Sequence, residues 1–230
     1  MYKNALDVRK RANEHYSETK KMGYDVVGVM LQGSQNYELQ YEESDVDTKA
    51  ILLPPFEDFC LNRPPISTTH ICKNNEHIDL KDIRLMFDCF RKQNINFIEI
   101  LFTKYKVINP KYKDIIAPLF ENRELIAHYN NYAAVNCMAG LSMEKFKALE
   151  HPYPATIDKI EKFGYDGKQL CHLIRINEFI KRYINGEKYS DCLVSTMPKY
   201  LVDVKKNVLS LEDARILANQ YNIETKKIKD

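Results

Sequence analysis

The sequence predicts an α+β fold, an α/β front half followed by an all-helical back half, and three observations carry the prediction. Two β-branched runs of strand length, "YDVVGVMLQ" and "DVDTKAILL", lie in the first quarter of the chain. From about residue 110 onward strand signals fade and helical spacing dominates. With 44% apolar residues in 230, the chain can bury the core of one large domain or two modest ones.

Residues 4–21 read as a helix, because Ala5, Val8, Ala12 and Tyr16 recur near helical spacing. The first strand ends at Gly33, and the second is stopped by Pro54 and Pro55, which cannot continue a central ladder. Turn chemistry at Pro64-Pro65 and Asn74-Asn75 predicts a hairpin whose second arm is His77 to Lys81. Asp82 is then positioned to cap a helix that buries Ile83, Met86, Phe87 and Phe90, and "NINFIEILF" reads as another helix. Downstream, "ENRELIAHYNNYAAVNCMAGLSMEKFKAL", "DGKQLCHLIRINEFIKRYINGE" and "LSLEDARILANQYNIETKK" read as helices, with "EHPYPATIDKIEKFGYDG" as the loop between two of them.

Composition excludes several classes. No apolar stretch approaches the roughly 18–20 residues of a membrane span, and the charged start "MYKNALDVRKRANEHY" has no signal-type apolar region, so a cytoplasmic protein without membrane partners is expected. The net charge of +2 gives no bulk electrostatic footprint for a polyanion, which must be gripped locally if it binds. Six cysteines without a CxxC pair, and histidines that complete no zinc-ligand spacing, read as reduced thiols that mostly fill the core.

The stretch "LQGSQNYELQYEESDVDTKAILLPP" carries the chemistry. Side chains alternate along a strand, so Asp45 and Asp47 share a face, and two carboxylates so placed repel unless a cation offsets them. A divalent metal is the usual answer. In "HIDLK" the same alternation groups His77, Asp79 and Lys81, which brings a third carboxylate from a second strand. Three such groups can hold two Mg²⁺ ions (Mn²⁺ as the alternative) about 3.5–4 Å apart for an in-line phosphoryl displacement. Gly33 and Ser34 form a turn whose N–H groups and hydroxyl can cradle phosphate oxygens. Glu42 and Glu43 are expected at the surface.

Far downstream, Lys168, His172 and Arg175 fall at i, i+4 and i+7, within about 60° of one another on a helix. They form a cationic stripe suited to a polyphosphate, offset from the apolar set Leu170, Leu173, Ile174 and Ile180. Tyr165 can stack on a base or pack in the core. Asn94, Asn96 and Glu99 read as braces of the core.

A strand, Gly-Ser, ten residues, Asp-x-Asp and a third strand Asp resemble the signature of the DNA polymerase β nucleotidyltransferase superfamily. The match is closer to one branch of that superfamily, the bacterial and phage nucleotidyltransferases that include a polymerase-β-like enzyme associated with RNA repair. That branch resembles this chain in Gly33, Ser34 and Tyr37, in Ser44-Asp45-x-Asp47, in Asn94, Asn96 and Glu99, and in "GYDGKQLCHLIR". It has Tyr-Gly where this chain has Tyr37-Glu38, and Asn-Pro-Asn where this chain has Asn94-Ile95-Asn96. The resemblance implies a mixed or antiparallel sheet flanked by helices in a catalytic domain over residues 1–108, with a helical domain over 109–230 closing over the nucleotide. It implies transfer of a nucleoside monophosphate from an NTP to an acceptor hydroxyl, with release of pyrophosphate. An RNA 3′ end is the first expected acceptor; a protein side chain or small molecule is chemically equivalent. Asp45, Asp47 and Asp79 would bind the metals, with Asp79 also able to take the hydroxyl proton. Gly33, Ser34, Tyr165, Lys168, His172 and Arg175 would bind the nucleotide. Modification of a partner protein, as in a toxin–antitoxin pair, and a nucleotide-binding regulator without turnover are the alternatives.

Overall fold

The computed structural model describes residues 5–42, 44–72 and 75–229. The expectations for Glu43 at the surface and Asn74 in a turn lie outside the described residues. The chain forms two compact units, residues 1–129 and 130–230. The first unit therefore continues past residue 108. Among the described residues, no helix is long and apolar enough to cross a membrane.

The first unit is α+β. Its elements are α1 (Ala5–Lys21), β1 (Asp25–Gln32), β2 (Asp47–Leu53), α2 (Phe56–Cys60), β3 (Ser67–Ile71), β4 (His77–Asp82), α3 (Ile83–Arg91), α4 (Ile95–Ile98), β5 (Lys106–Ile108), α5 (Lys113–Glu121) and α6 (Arg123–Ala127). The five strands form a mixed sheet in the order β3-β4-β2-β1-β5. Only β2 and β4 run parallel; the other neighbours are antiparallel. The expected strand from Asp45 starts at Asp47, and β5 is too short at three residues to show a period of two. The helix expected over "NINFIEILF" is one turn of α-helix followed by a 3₁₀ turn at Glu99–Leu101.

Directly paired residues in neighbouring strands point to the same face. One face carries Val29, Ala50, Ile78 and Leu80, which pack with Val26, Leu52 and Cys72 into one cluster. Helix α1 covers this face: Val8 packs on Leu31 and Val46, and Tyr16 packs on the larger cluster. The opposite face carries Gln32, Asp47, Lys49, Thr69, His77 and Asp79. The alternating burial of β4 follows directly, with Ile78 and Leu80 buried and His77, Asp79 and Lys81 half-buried.

The Asp82 side chain caps α3 by accepting from the Arg84 N–H at 2.8 Å. Met86 and Phe90 are buried as their spacing requires, but Phe87 is 50% exposed and so lies outside the buried face. Two of the three expected braces hold: Asn94 caps α4 by accepting from the Asn96 N–H, and buried Glu99 accepts from the Tyr37 hydroxyl, whereas Asn96 is exposed and takes part through its backbone.

The second unit is all-helical: α7 (Asn131–Ala148), α8 (Ile157–Phe163), α9 (Gly167–Ile184), α10 (Tyr189–Leu193), α11 (Pro198–Lys205) and α12 (Leu211–Lys229). Helix α8 occupies the segment expected to be a loop; its prolines all lie upstream of it, where they leave its hydrogen bonds intact. Helix α9 is the central element, packed by α7, α10, α11 and α12. Phe179, Tyr183 and Tyr189 form an aromatic cluster with centroids 5.0–6.3 Å apart. A Cβ at Gly167 would fall 2.3 Å from the Val204 carbonyl oxygen, so glycine is what lets α9 start against α11. Gly167→Ala is expected to cost about 1–3 kcal/mol by forcing that packing apart. Chemical denaturation checks it, and unchanged stability would show that α11 yields freely.

Candidate active site

The Asp-x-Asp segment is held in place by a buried carboxylate that sequence inspection does not single out. Glu76, 1% exposed, accepts from the Val46 N–H at 3.3 Å, while the adjacent His77 N–H donates to the Asp47 carboxylate at 2.8 Å. The two bonds run in opposite senses between the same short segments. They hold the start of β2 against the start of β4. Behind them, Arg11 from α1 donates to Glu76 at 2.6 Å through Nε, and His15 Nε2 lies 3.4 Å from the same carboxylate.

His15 is fully buried. Its Nε2 lies between an Arg11 guanidinium nitrogen, a donor at 3.2 Å, and the Glu76 carboxylate, an acceptor at 3.4 Å. Its Nδ1 is hydrogen-bonded to the Thr48 hydroxyl at 3.0 Å. Burial, reinforced by the Arg11 charge, lowers the pKa of His15 and holds the imidazole neutral.

On the exposed side of the latch, Asp79 accepts from the Thr69 hydroxyl at 2.7 Å and from the Gln32 side-chain amide at 3.0 Å. Burial alone would raise its pKa, but these two bonds and the charges of Lys49 and Lys81 outweigh it, and the carboxyl titrates below its ordinary value. Lys49, its direct partner on β2, is 3% exposed. The Lys49 ammonium donates to the Asn96 carbonyl at 2.7 Å and lies 4.4 Å from the Phe97 ring centroid. Desolvation lowers the Lys49 pKa despite the opposing pull of Glu99 and Asp79.

Gln32 joins the carboxylates to the Gly-Ser turn. It pairs in register with Asp47, bonds Asp79 through its side chain and immediately precedes Gly33. Gly33 has φ 88°, a left-handed value that favours glycine, and opens a 3₁₀ turn over Ser34–Asn36. The Gln35 amide donates to the Asp45 carbonyl at 2.6 Å, which ties the turn to the Asp-x-Asp segment. Glu38 stands where the resembling branch has glycine, and it also adopts a left-handed conformation, φ 61°.

Asp47 and Asp79 thus share one face of adjacent parallel strands, with Asp45 exposed just before β2. The alternation continues through Asp45, because Val46 and Thr48 are buried behind it. Among the described residues, the three carboxylates do not come within 4.8 Å of one another; the set that does is Glu18, His70 and Cys72. Hard oxygen donors, one of them held ionised, are nevertheless the donor type that suits Mg²⁺ or Mn²⁺.

In the second unit, "GYDGK" is a structural device. Tyr165 is fully buried and donates from its hydroxyl to the Leu209 carbonyl at 2.9 Å, so it takes the packing alternative and not the base-stacking one. Asp166 caps α9 by accepting from the Lys168 N–H at 3.0 Å. Lys168 is exposed, His172 half-buried and Arg175 4% exposed, so the three do not form a solvated stripe. Desolvation, with Arg175, Lys168, Lys145 and Lys205 adding positive charge, drives the His172 pKa well below its ordinary value. Lys145 from α7 and Lys205 from α11 therefore enlarge the cationic cluster, which no single-helix pattern reveals.

No family model matches this chain, and no curated protein matches it. Among solved structures, the chain is similar to a nucleotidyltransferase-like protein from Exiguobacterium sibiricum, with 9% identity and a TM-score of 0.37 over 96% of this chain and 74% of that one.

Two outcomes are expected from the latch. Glu76→Ala strips the Val46 N–H of its acceptor and Arg11 of one of its two carboxylate partners, the other being Glu14, and should lower stability by about 1–3 kcal/mol; denaturant unfolding checks it, and a change below the error of the midpoint contradicts it. His15, whose folded pKa is below its unfolded one, stabilises fully above about pH 6.5. That contribution is lost as pH falls from there through the folded pKa. The stability difference between wild type and His15→Gln, measured from pH 7.5 to 5 (about the range of histidine titration), should shrink with acidification; a constant difference contradicts the neutral assignment.

Proposed function

We propose that this protein is a metal-dependent nucleotidyltransferase that moves a nucleoside monophosphate from an NTP to an acceptor hydroxyl and releases pyrophosphate. One observation carries the reading. Gln32, the residue that leads into the Gly33-Ser34 turn, pairs with Asp47 and hydrogen-bonds Asp79. A phosphate-binding turn and two carboxylates from adjacent strands are thereby built around one residue.

Asp45, Asp47 and Asp79 are the groups that would hold Mg²⁺, and the metal would supply charge to the reacting phosphoryl oxygens and lower the pKa of the acceptor hydroxyl. Asp79 stays ionised because Thr69 and Gln32 donate to it, which suits an anionic ligand. The same bonds favour the ionised form that a metal ligand needs, so we assign Asp79 to metal binding and orientation. Gly33 and Ser34 present N–H and hydroxyl donors to phosphate oxygens. Lys168 and Arg175, with Lys145 and Lys205, form a cationic cluster within the second unit whose charge suits a polyphosphate. His172, kept neutral there, can donate or accept a hydrogen bond without adding charge.

The favoured acceptor is an RNA 3′ end, by resemblance to the RNA-repair branch. Purified protein is incubated with Mg²⁺, NTPs labelled at the α-phosphate, and total RNA or lysate. Label on RNA supports the assignment, and label on one protein moves the acceptor to a partner. NTP binding without any transfer overturns catalysis in favour of a regulator. Asp47→Ala should abolish transfer while the fold, read by circular dichroism, stays intact; full activity in that variant sinks the proposed site.

A further inference from the structure

The sheet face covered by α1, opposite Asp47 and Asp79, carries a second group of ligand-type side chains. His70 lies on β3, Cys72 follows two residues later, and Glu18 comes from the last turns of α1. His70 Nε2 is 2.8 Å from the Glu18 carboxylate. That nitrogen, a Glu18 oxygen and the Cys72 sulfur all lie within 4.8 Å of one another. A tetrahedral zinc ion spaces nitrogen, oxygen and sulfur donors roughly 3–4 Å apart, so small side-chain rotations close the set. Cys72 is 5% exposed while Glu18 and His70 are half-buried, which puts the thiol at the floor and two ligands at the rim.

We propose that Glu18, His70 and Cys72 form a binding site for Zn²⁺ that ties helix α1 to edge strand β3. A soft sulfur beside an imidazole and one carboxylate selects zinc over magnesium, and three protein ligands leave the fourth position to water. On binding, the ion takes the place of the Cys72 thiol proton, which passes to solvent, and replaces the hydrogen bond between Glu18 and His70. Strand β3 has a single neighbour in the sheet, β4. Its Thr69, adjacent to His70 and on the other face, donates to Asp79. An ion at His70 therefore fixes the strand that supports the candidate catalytic carboxylate, yet its binding does not depend on the reaction assigned above.

The test is titration of the full chain with ZnCl₂ by calorimetry and with CoCl₂ by absorbance. Wild type should take up one equivalent of either ion, and cobalt should give a thiolate-to-metal charge-transfer band with tetrahedral d–d bands. Cys72→Ser should remove the charge-transfer band. His70→Gln and Glu18→Gln should each weaken zinc binding at least about tenfold, the scale of even outer-shell losses in metal sites. Glu18 is 41% exposed at its side chain, so its variant keeps the fold. No charge-transfer band in wild type, a band that survives Cys72→Ser, or unchanged zinc affinity in Glu18→Gln would each overturn the site.

Discussion

Everything on the candidate catalytic face depends on one buried carboxylate, Glu76. Strands β2 and β4 run parallel and are not joined by a tight turn, so no local connection sets their register at the end that carries Asp47. Glu76 sets it by taking the Val46 N–H, and the Asp47 carboxylate returns the bond to the His77 N–H. A buried charge is tolerated only when paired and hydrogen-bonded. Arg11 supplies the pair and neutral His15 closes the network toward Thr48, so α1 is needed both to cover the sheet and to neutralise its latch.

The opposite face repeats the logic with the signs exchanged. Lys49 is a cation inserted under α4, offset by Asp79 and Glu99 and held by the Asn96 carbonyl. Asp79 is an anion held in place by two neutral donors, Thr69 from the neighbouring strand β3 and Gln32 from β1 beyond β2. Both groups sit on β2 and β4, which are paired on both sides within the sheet.

The fold class and several elements were legible in the sequence because their periods are long and their stops are strong: α1, β1, the His77 to Lys81 arm and the cap at Asp82. The alternation that separated Asp79 from Ile78 and Leu80 is the strand's own period of two. Asp47 and Asp79 were readable for that reason, and Lys49, two residues after Asp47, carried the same signal. Glu76 and Gln32 were not readable, because their roles come from pairing between strands distant in sequence. Lys145 and Lys205 escaped for the same reason, since they join Lys168 and Arg175 only through helix packing. Helical spacing placed Arg175 on a polar stripe, and Phe87 in the core; packing by neighbouring helices buried the first and left the second exposed. The Glu18, His70 and Cys72 set escaped the search for zinc-ligand spacing, because its third member, Glu18, lies on α1 and joins the other two only through packing.

In the proposed reaction the paired carboxylates and the Gly33-Ser34 turn act on the α-phosphate of an NTP. The most direct measurement follows parallel reactions with NTP labelled at the α- or the γ-phosphate, with Mg²⁺ and acceptor present. Transfer of the α-label to the acceptor, with the γ-label released as pyrophosphate, is the predicted result. Release of the γ-label as orthophosphate, or its transfer to the acceptor, would place the broken bond elsewhere and contradict the account.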